Sequence, residues 1–117
     1  MNIGRWGDAV TSNQQAWHAD QKANYGGPPG VYPSHNLHML LNAAVMDGQS
    51  AVAMQAAQDL ARHPGPWAWY VPLTYAVFGR WSEIIETNAN PDGPTNVVGW
   101  NFARGMAHLR TGDPQTA

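Results

Sequence analysis

The sequence contains no cysteine, which excludes disulfide staples and thiol chemistry without fixing a compartment. Charge is sparse as well: Asp, Glu, Lys and Arg make up 12% of the 117 residues, about half the share of an ordinary soluble domain. The six basic residues, Arg5, Lys22, Arg62, Arg80, Arg104 and Arg110, are scattered, and the net charge is −2. Binding to nucleic acid needs a clustered basic face that neutralises phosphates, so that class is set aside. No run approaches the roughly 20 apolar residues of a membrane-spanning helix, and Met1-Asn2-Ile3-Gly4-Arg5-Trp6 lacks the apolar core of a signal peptide. The cytoplasm is therefore the expected compartment.

What is present argues for a folded chain. The hydrophobic fraction is 44%, and there are six Trp, four Tyr and two Phe, whereas unstructured chains are poor in aromatics and rich in charge. The length suits one domain with a modest core. So few charges leave part of the surface open to association with itself or with a partner.

An internal repeat organises the chain. Gly4-Arg5-Trp6-Gly7-Asp8 aligns without a gap on Gly79-Arg80-Trp81-Ser82-Glu83, and Asn13 then falls on Asn88. Further turns are read at Asp47-Gly48-Gln49-Ser50 and Thr111-Gly112-Asp113-Pro114. Gly79 follows Gly48 by 31 residues and precedes Gly112 by 33. Gly4 precedes Gly48 by 44, the excess falling in the Gly/Pro-rich loop 25–33. A period near 33 with a glycine turn in the middle suits two short antiparallel helices per repeat.

Apolar periodicity agrees. Leu37, Leu40, Leu41, Ala44 and Val45 form a helical stripe, as do Ala53, Ala56, Ala57, Leu60 and Ala61. Trp6, Ala9, Val10, Asn13 and Trp17 line a first helix, with Trp81, Ile84, Ile85 and Asn88 on its counterpart. Ser34 is read as the cap of a helix opening at His35, with Pro33 discouraging helix upstream. Pro64-Gly65-Pro66 and Asn90-Pro91-Asp92-Gly93-Pro94 each end one helix and start another. Pro72 either occupies the first turn of a helix reaching Phe78 or kinks a longer one from Trp67. The spacing predicts helices at 6–24, 35–47, 50–63, 67–78, 81–89 and 96–111, and no strand.

Leu40, Ala43, Gly48 and Ala53, with Leu60 and Pro64 near the repeat end, resemble the tetratricopeptide pattern of a large residue, a small one, a central Gly and a following Ala. Gly105, Ala107 and Gly112-Asp113 fit the first helix and turn of another repeat. The Trp81 repeat departs from the pattern, with Ile84 where a small Ala is usual. The segment from Tyr32 to His38, followed by Ala43-Ala44 and Gly48, is similar to a group of bacterial tetratricopeptide-like proteins of unassigned activity. The resemblance implies one all-α domain of about three antiparallel hairpins, stacked as a short right-handed superhelix. It also implies a piece of a longer chain, truncated at both ends, whose open repeat ends favour a homo-oligomer.

Candidate chemistry is thin. His35 and His38 share one helix face at a spacing that suits two metal ligands, with His18 or Asp20 as a third. Equally, both imidazoles can bond to the backbone or to Tyr32. No His-Glu-x-x-His, Cys pair or carboxylate cluster accompanies them, so no metal or cofactor is assigned. Ser34 beside His35 lacks a nucleophile elbow. Glu83 and Glu86 read as a solvated helix face rather than a catalytic pair. Gly26-Gly27-Pro28-Pro29-Gly30 has neither the Lys-Ser/Thr ending nor the amide donors of a phosphate loop.

Trp67, Trp69 and Tyr70, near Tyr75 and Trp81, read either as core or as interface anchors. Trp67 and Trp69, two apart, are expected to point to different sides. Asn13 and Asn88 either line a groove for a peptide backbone or satisfy buried carbonyls. The expected function is a non-catalytic scaffold that binds a protein or peptide partner, or its own copy. The alternative is a small-molecule or metal site around Tyr32, His35 and His38, completed by a preceding repeat.

Overall fold

A helix rich in small residues can be followed at once by an antiparallel neighbour if the chain turns back within two or three residues. A left-handed glycine permits that turn. The computed structural model describes residues 4–23, 31–87 and 91–117, leaving aside the side chains of 31–33. Among these residues there are six helices and no strand: α1 (Trp6–Ala23), α2 (Val31–Met46), α3 (Ser50–Ala61), α4 (Tyr70–Val77), α5 (Trp81–Glu86) and α6 (Pro94–Thr111).

The four glycines of the repeat all adopt the left-handed conformation, with φ of 72° at Gly4, 73° at Gly48, 68° at Gly79 and 86° at Gly112. Three of them stop a helix in the same way. After α2 the Gln49 amide donates to the Ala44 carbonyl at 2.9 Å, and after α4 the Arg80 amide donates to Tyr75 at 2.9 Å. After α6 the Asp113 amide donates to His108 at 2.8 Å. Each is the long-range bond of a Schellman turn, which satisfies a carbonyl that the helix end would otherwise orphan. The two Gly-Arg-Trp copies share a second feature: Arg5 pairs with Asp8 and Arg80 with Glu83 across the first turn of the helix that follows. The acid at the fifth place of the repeat is thereby explained.

The chain divides into two compact units, Met1–Leu60 and Ala61–Ala117. In the first, α1 packs along α2. Its buried residues are Val10 on α1, Leu37, Leu40, Leu41, Ala43 and Ala44 on α2, and Ala53, Met54, Ala56, Ala57 and Leu60 on α3. The alanines add little burial energy individually. They let backbones approach, while each buried Leu contributes on the order of 1.5–3 kcal/mol. Asn36 on α2 donates to Asp20 on α1 at 2.6 Å, a polar tie across that pair.

In the second unit α6 packs against both α4 and α5, and α4 against α5. Ile84, Ala103 and Ala107 are fully buried, with Tyr75, Ala76 and Trp81 packed around them. Gly99 marks the closest approach: a Cβ built there would lie 2.6 Å from the Trp69 Cβ. Arg104 donates to the Thr87 carbonyl at 3.2 Å, just past the end of α5, and its guanidinium lies 5.3 Å from the centre of the Trp100 ring.

Several expectations need correction. The second helix opens at Val31, not His35. Pro33 and Ser34 therefore lie inside its first turn, where a missing proline N–H costs nothing because that donor has no intrahelical acceptor; Ser34 is not a cap. Pro72 occupies the first turn of α4, which starts at Tyr70 rather than 67, the preceding residues being held in a tight turn by Trp67 N–H to Gly65 O at 2.9 Å. Pro94 is the first residue of α6, two before the expected start. Ile85 is 40% exposed, because Ile84 is the residue that meets the cluster. On α1, Val10 alone of the expected stripe is fully buried; Trp6, Ala9, Asn13 and Trp17 are half-buried. α5 ends at Glu86 rather than 89, because Thr87 turns extended, and α3 ends at Ala61 rather than 63; the end expected at residue 24 lies outside the described residues.

Two glycine substitutions separate backbone strain from crowding. A Cβ at Gly48 would meet nothing within 4 Å, so Gly48→Ala carries only the left-handed penalty of about 1–2 kcal/mol. Gly48→Asn costs less, since Asn tolerates that conformation. Gly99→Ala in ordinary helical geometry overpacks Trp69 and costs about 1–3 kcal/mol. Urea unfolding of the three variants checks this; equal losses at Gly48 for Ala and Asn would refute the turn argument.

Candidate functional site

The residues singled out in the sequence fall into separate places. His35 and His38 lie on α2 in the first unit, His35 exposed and His38 half-buried. They are near enough to sense one another: burial, and then the charge of His35, hold the His38 pKa below its ordinary value of 6.5. Asp20, one of the two third ligands considered, accepts the Asn36 amide instead. His18, the other, lines a cavity described below. Among the described residues no group of three or more His, Cys, Asp or Glu could hold a metal ion. The Tyr32 side chain lies outside the described residues, as does Asn88. Asn13 is half-buried and donates to the Ala9 carbonyl one turn back at 2.8 Å.

The aromatic cluster belongs to the second unit and is tied down locally. Trp67 Nε1 donates to the Pro64 carbonyl at 3.0 Å. The Tyr70 ring stacks with Trp67 at 6.3 Å and packs against Trp69 at 4.4 Å between centroids. Both tryptophans are half-buried. The expectation that they point apart assumes regular geometry through 67–69; the actual turn brings both rings to Tyr70.

Trp69 is held twice over from α6. Gly99 admits its Cβ, and its backbone N–H donates to Asn96 Oδ1 at 3.0 Å. Asn96 in turn donates from Nδ2 to the Asp92 carbonyl at 2.6 Å. No side-chain cap closes the start of α4, so Asn96 performs that service from 27 residues away. Burial alone raises the Tyr70 pKa.

A different feature offers room for a ligand. In the first unit α1, α2 and α3 line an open cavity of about 500 Å³. Its apolar lining comes from Trp17, Leu37, Leu40, Ala51, Val52 and Ala56, and its polar lining from Gln14, His18, Gln21, Gln55 and Asp59. Gln55 donates to Asp59 one turn on at 3.0 Å. On α1 the lining residues 14, 17, 18 and 21 follow i, i+3, i+4, i+7, one helical face. That periodicity was present in the sequence, but three of the four residues are polar, so the face does not register as an apolar stripe.

The cavity lining offers an indole, aliphatic floor atoms, and amides that both donate and accept. His18 and Asp59 are its titratable lining residues. Compared with known protein families, curated proteins and solved structures, the chain matches none.

Two outcomes test this description. His38 favours its neutral form when folded, so the unfolded chain binds the proton more readily. Stability is fully present above pH 6.5 and falls as pH drops through that value, levelling off below the depressed folded pKa. His38→Gln flattens the slope between pH 7 and 5 in a series of denaturant midpoints. The carboxylates act at more acid pH. Glu83 is held low by its own backbone amide and by Arg80, and Asp113 by Thr116 and His108. Asn96→Ala leaves the Trp69 amide without its acceptor and destabilises by about 1–2 kcal/mol, whereas Asn96→Asp, which keeps an acceptor, loses less.

Proposed function

We propose that the chain is a non-catalytic helical-repeat scaffold of the tetratricopeptide type, which receives a segment of a partner protein in the groove between α1, α2 and α3. The observation that carries this reading is the recurrent turn: helices α2, α4 and α6 all end at a left-handed glycine with the same closing hydrogen bond, 31 and 33 residues apart. A repeating helix–glycine–helix unit is the building block of helical solenoids. The packing of α6 on both members of the preceding pair, and of α1 on α2, is what stacked hairpins require.

The groove supports the same reading. About 500 Å³ is within the range of sites that enclose a ligand of drug size, enough for two or three side chains of an extended segment. Trp17 offers the kind of aromatic anchor that dominates binding energy at interfaces. Gln14, Gln21 and Gln55 can each donate to and accept from a peptide backbone laid along the rim. The aromatic cluster at Trp67, Trp69 and Tyr70 then has the role of wedging α4 against α6.

A displayed random peptide library panned against the wild type tests the proposal. The expected result is a family of sequences whose binding Trp17→Ala weakens at least tenfold, the equivalent of about 1.4 kcal/mol, while circular dichroism shows the helices intact. Selected peptides that bind wild type and Trp17→Ala equally would rule the groove out.

A further inference from the structure

Two dipeptides of the chain share one chemistry and differ in their surroundings. Asp47-Gly48 and Asp92-Gly93 are its two Asp-Gly pairs. In such a pair the side-chain carboxyl carbon lies within reach of the following backbone nitrogen, and a glycine there presents no Cβ to obstruct a five-membered ring. Both pairs are exposed, so access does not distinguish them. Hydrogen bonding does.

At Asp47 both reacting groups are held. The Gly48 amide donates to the Val45 carbonyl at 3.2 Å within the turn that ends α2, and the Asp47 amide donates to Ala43 at 3.0 Å. The Asp47 carboxylate accepts Gln49 Nε2 at 2.7 Å and lies 3.5 Å from where a Cβ on Gly7 of α1 would stand. Bringing Gly48 nitrogen onto Asp47 Cγ requires that turn to open, with loss of its closing bond from Gln49 to Ala44.

Asp92-Gly93 lies in the connection ahead of α6, outside any helix. Gly93 serves α6 through its carbonyl, which accepts Val97 N–H at 3.1 Å; an N-cap amide precedes the helical ladder and is not part of it. Asn96 Nδ2 donates to the Asp92 carbonyl at 2.6 Å, and Asn96 Oδ1 is itself fixed by the Trp69 N–H. The Asp92 carbonyl is conjugated with the Gly93 nitrogen. A donor held on its oxygen draws density from that nitrogen and makes the amide hydrogen easier to remove.

We infer that Asp92-Gly93 is a site of spontaneous backbone modification. Through Asn96 the folded chain promotes its cyclisation to a succinimide and opening to isoaspartate, while the fold protects the chemically identical Asp47-Gly48. The Gly93 nitrogen bonds to Asp92 Cγ, the Cγ–hydroxyl bond of the protonated carboxyl breaks, and the amide hydrogen leaves with that hydroxyl as one water. A water then adds to the ring. Attack at Cγ breaks the new bond and restores aspartate. Attack at the former backbone carbonyl breaks its bond to the Gly93 nitrogen, and the chain then runs through Cγ with the α-carboxylate free. Asn96 polarises that carbonyl and favours the second course. No oxidant or cofactor enters, and the mass returns to its starting value. The product has one more methylene in the backbone before α6 and a carboxylate in place of the carbonyl that held Asn96.

Prolonged incubation of the folded chain near neutral pH tests this, read by peptide mass spectrometry with fragmentation that separates aspartate from isoaspartate. The expected result is a species one water lighter at the 92–93 pair, followed by isoaspartate at 92, with Asp47 unchanged over the same period. In denaturant the two sites are expected to react at similar rates. Asp92→Glu, whose ring would be six-membered and slower to form, abolishes the modification and leaves the helical signal as it was. Asn96→Ala and Asn96→Asp both remove the donor amide, and only the second keeps an acceptor for Trp69. Both are expected to slow the reaction in the folded chain by about three- to tenfold, the worth of one hydrogen bond. An absence of isoaspartate at 92, equal or faster modification of Asp47 in the folded chain, or a rate that Asn96→Asp leaves unchanged overturns the inference.

Discussion

A left-handed residue at the end of a helix sets the direction in which the chain returns, and the rest of this structure depends on that condition being met repeatedly. At Gly48, Gly79 and Gly112 the backbone enters a conformation that costs side-chain-bearing residues about 1–2 kcal/mol, and a closing hydrogen bond from the amide of the next residue satisfies the helix end. With the exit direction set, α3 and α5 each start two residues after the glycine, and α5 packs against its predecessor α4. Small side chains at Ala43, Ala44, Ala53, Ala56 and Ala57 then suit close backbone contact. Larger residues there would oppose the geometry that the turn imposes.

Helix ends closed by backbone alone leave helix starts to be supported by other means, and here the sources are varied. The ion pairs Arg5–Asp8 and Arg80–Glu83 span the first turns of α1 and α5. α6 opens on Pro94, which lacks the donor that would otherwise need an acceptor. α4 draws on Asn96 of α6 through the Trp69 amide. In the second unit, therefore, α6 is more than a packing partner: Asn96 supports one end of α4, Gly99 admits Trp69, and Arg104 caps the far end of α5 through Thr87. So small a charge count can suffice because several of the few charged groups act at helix termini.

The helices were legible because glycine spacing and apolar periodicity are both local signals. The buried faces of α2 and α3 could be listed from the sequence for most residues, Ala43 and Met54 being additions and Val45 and Ala61 only half-buried. What was illegible depends on residues far apart in sequence or on deviations from ideal geometry. Ser34 has the chemistry of a cap, but the helix continues past it to Val31. Trp67 and Trp69 would diverge on a regular helix and converge on Tyr70 because the chain turns there. The groove escaped notice for a different reason: Gln14, His18, Gln21 and Asp59 have the composition of a solvated surface, and only the juxtaposition of three helices makes a site of them. Proximity in sequence grouped the aromatics of 67–75 into a candidate site, whereas the indole that lines the cavity is Trp17, eleven residues after the other tryptophan of α1.

The polar ties that cross between helices are short in sequence: Asp20 to Asn36 spans 16 residues, Thr87 to Arg104 spans 17, and Trp69 to Asn96 spans 27. Loop closure over such distances is entropically cheap, and chains dominated by nearby contacts fold in microseconds to milliseconds. Ribosomes add roughly 5–20 residues per second, so the 57 residues after Leu60 take several seconds to emerge. Hairpin closure is faster by orders of magnitude. The first unit can therefore sample its native pairing throughout the synthesis of the second, and the order in which the repeat units form is set by translation rather than by a search among competing partners.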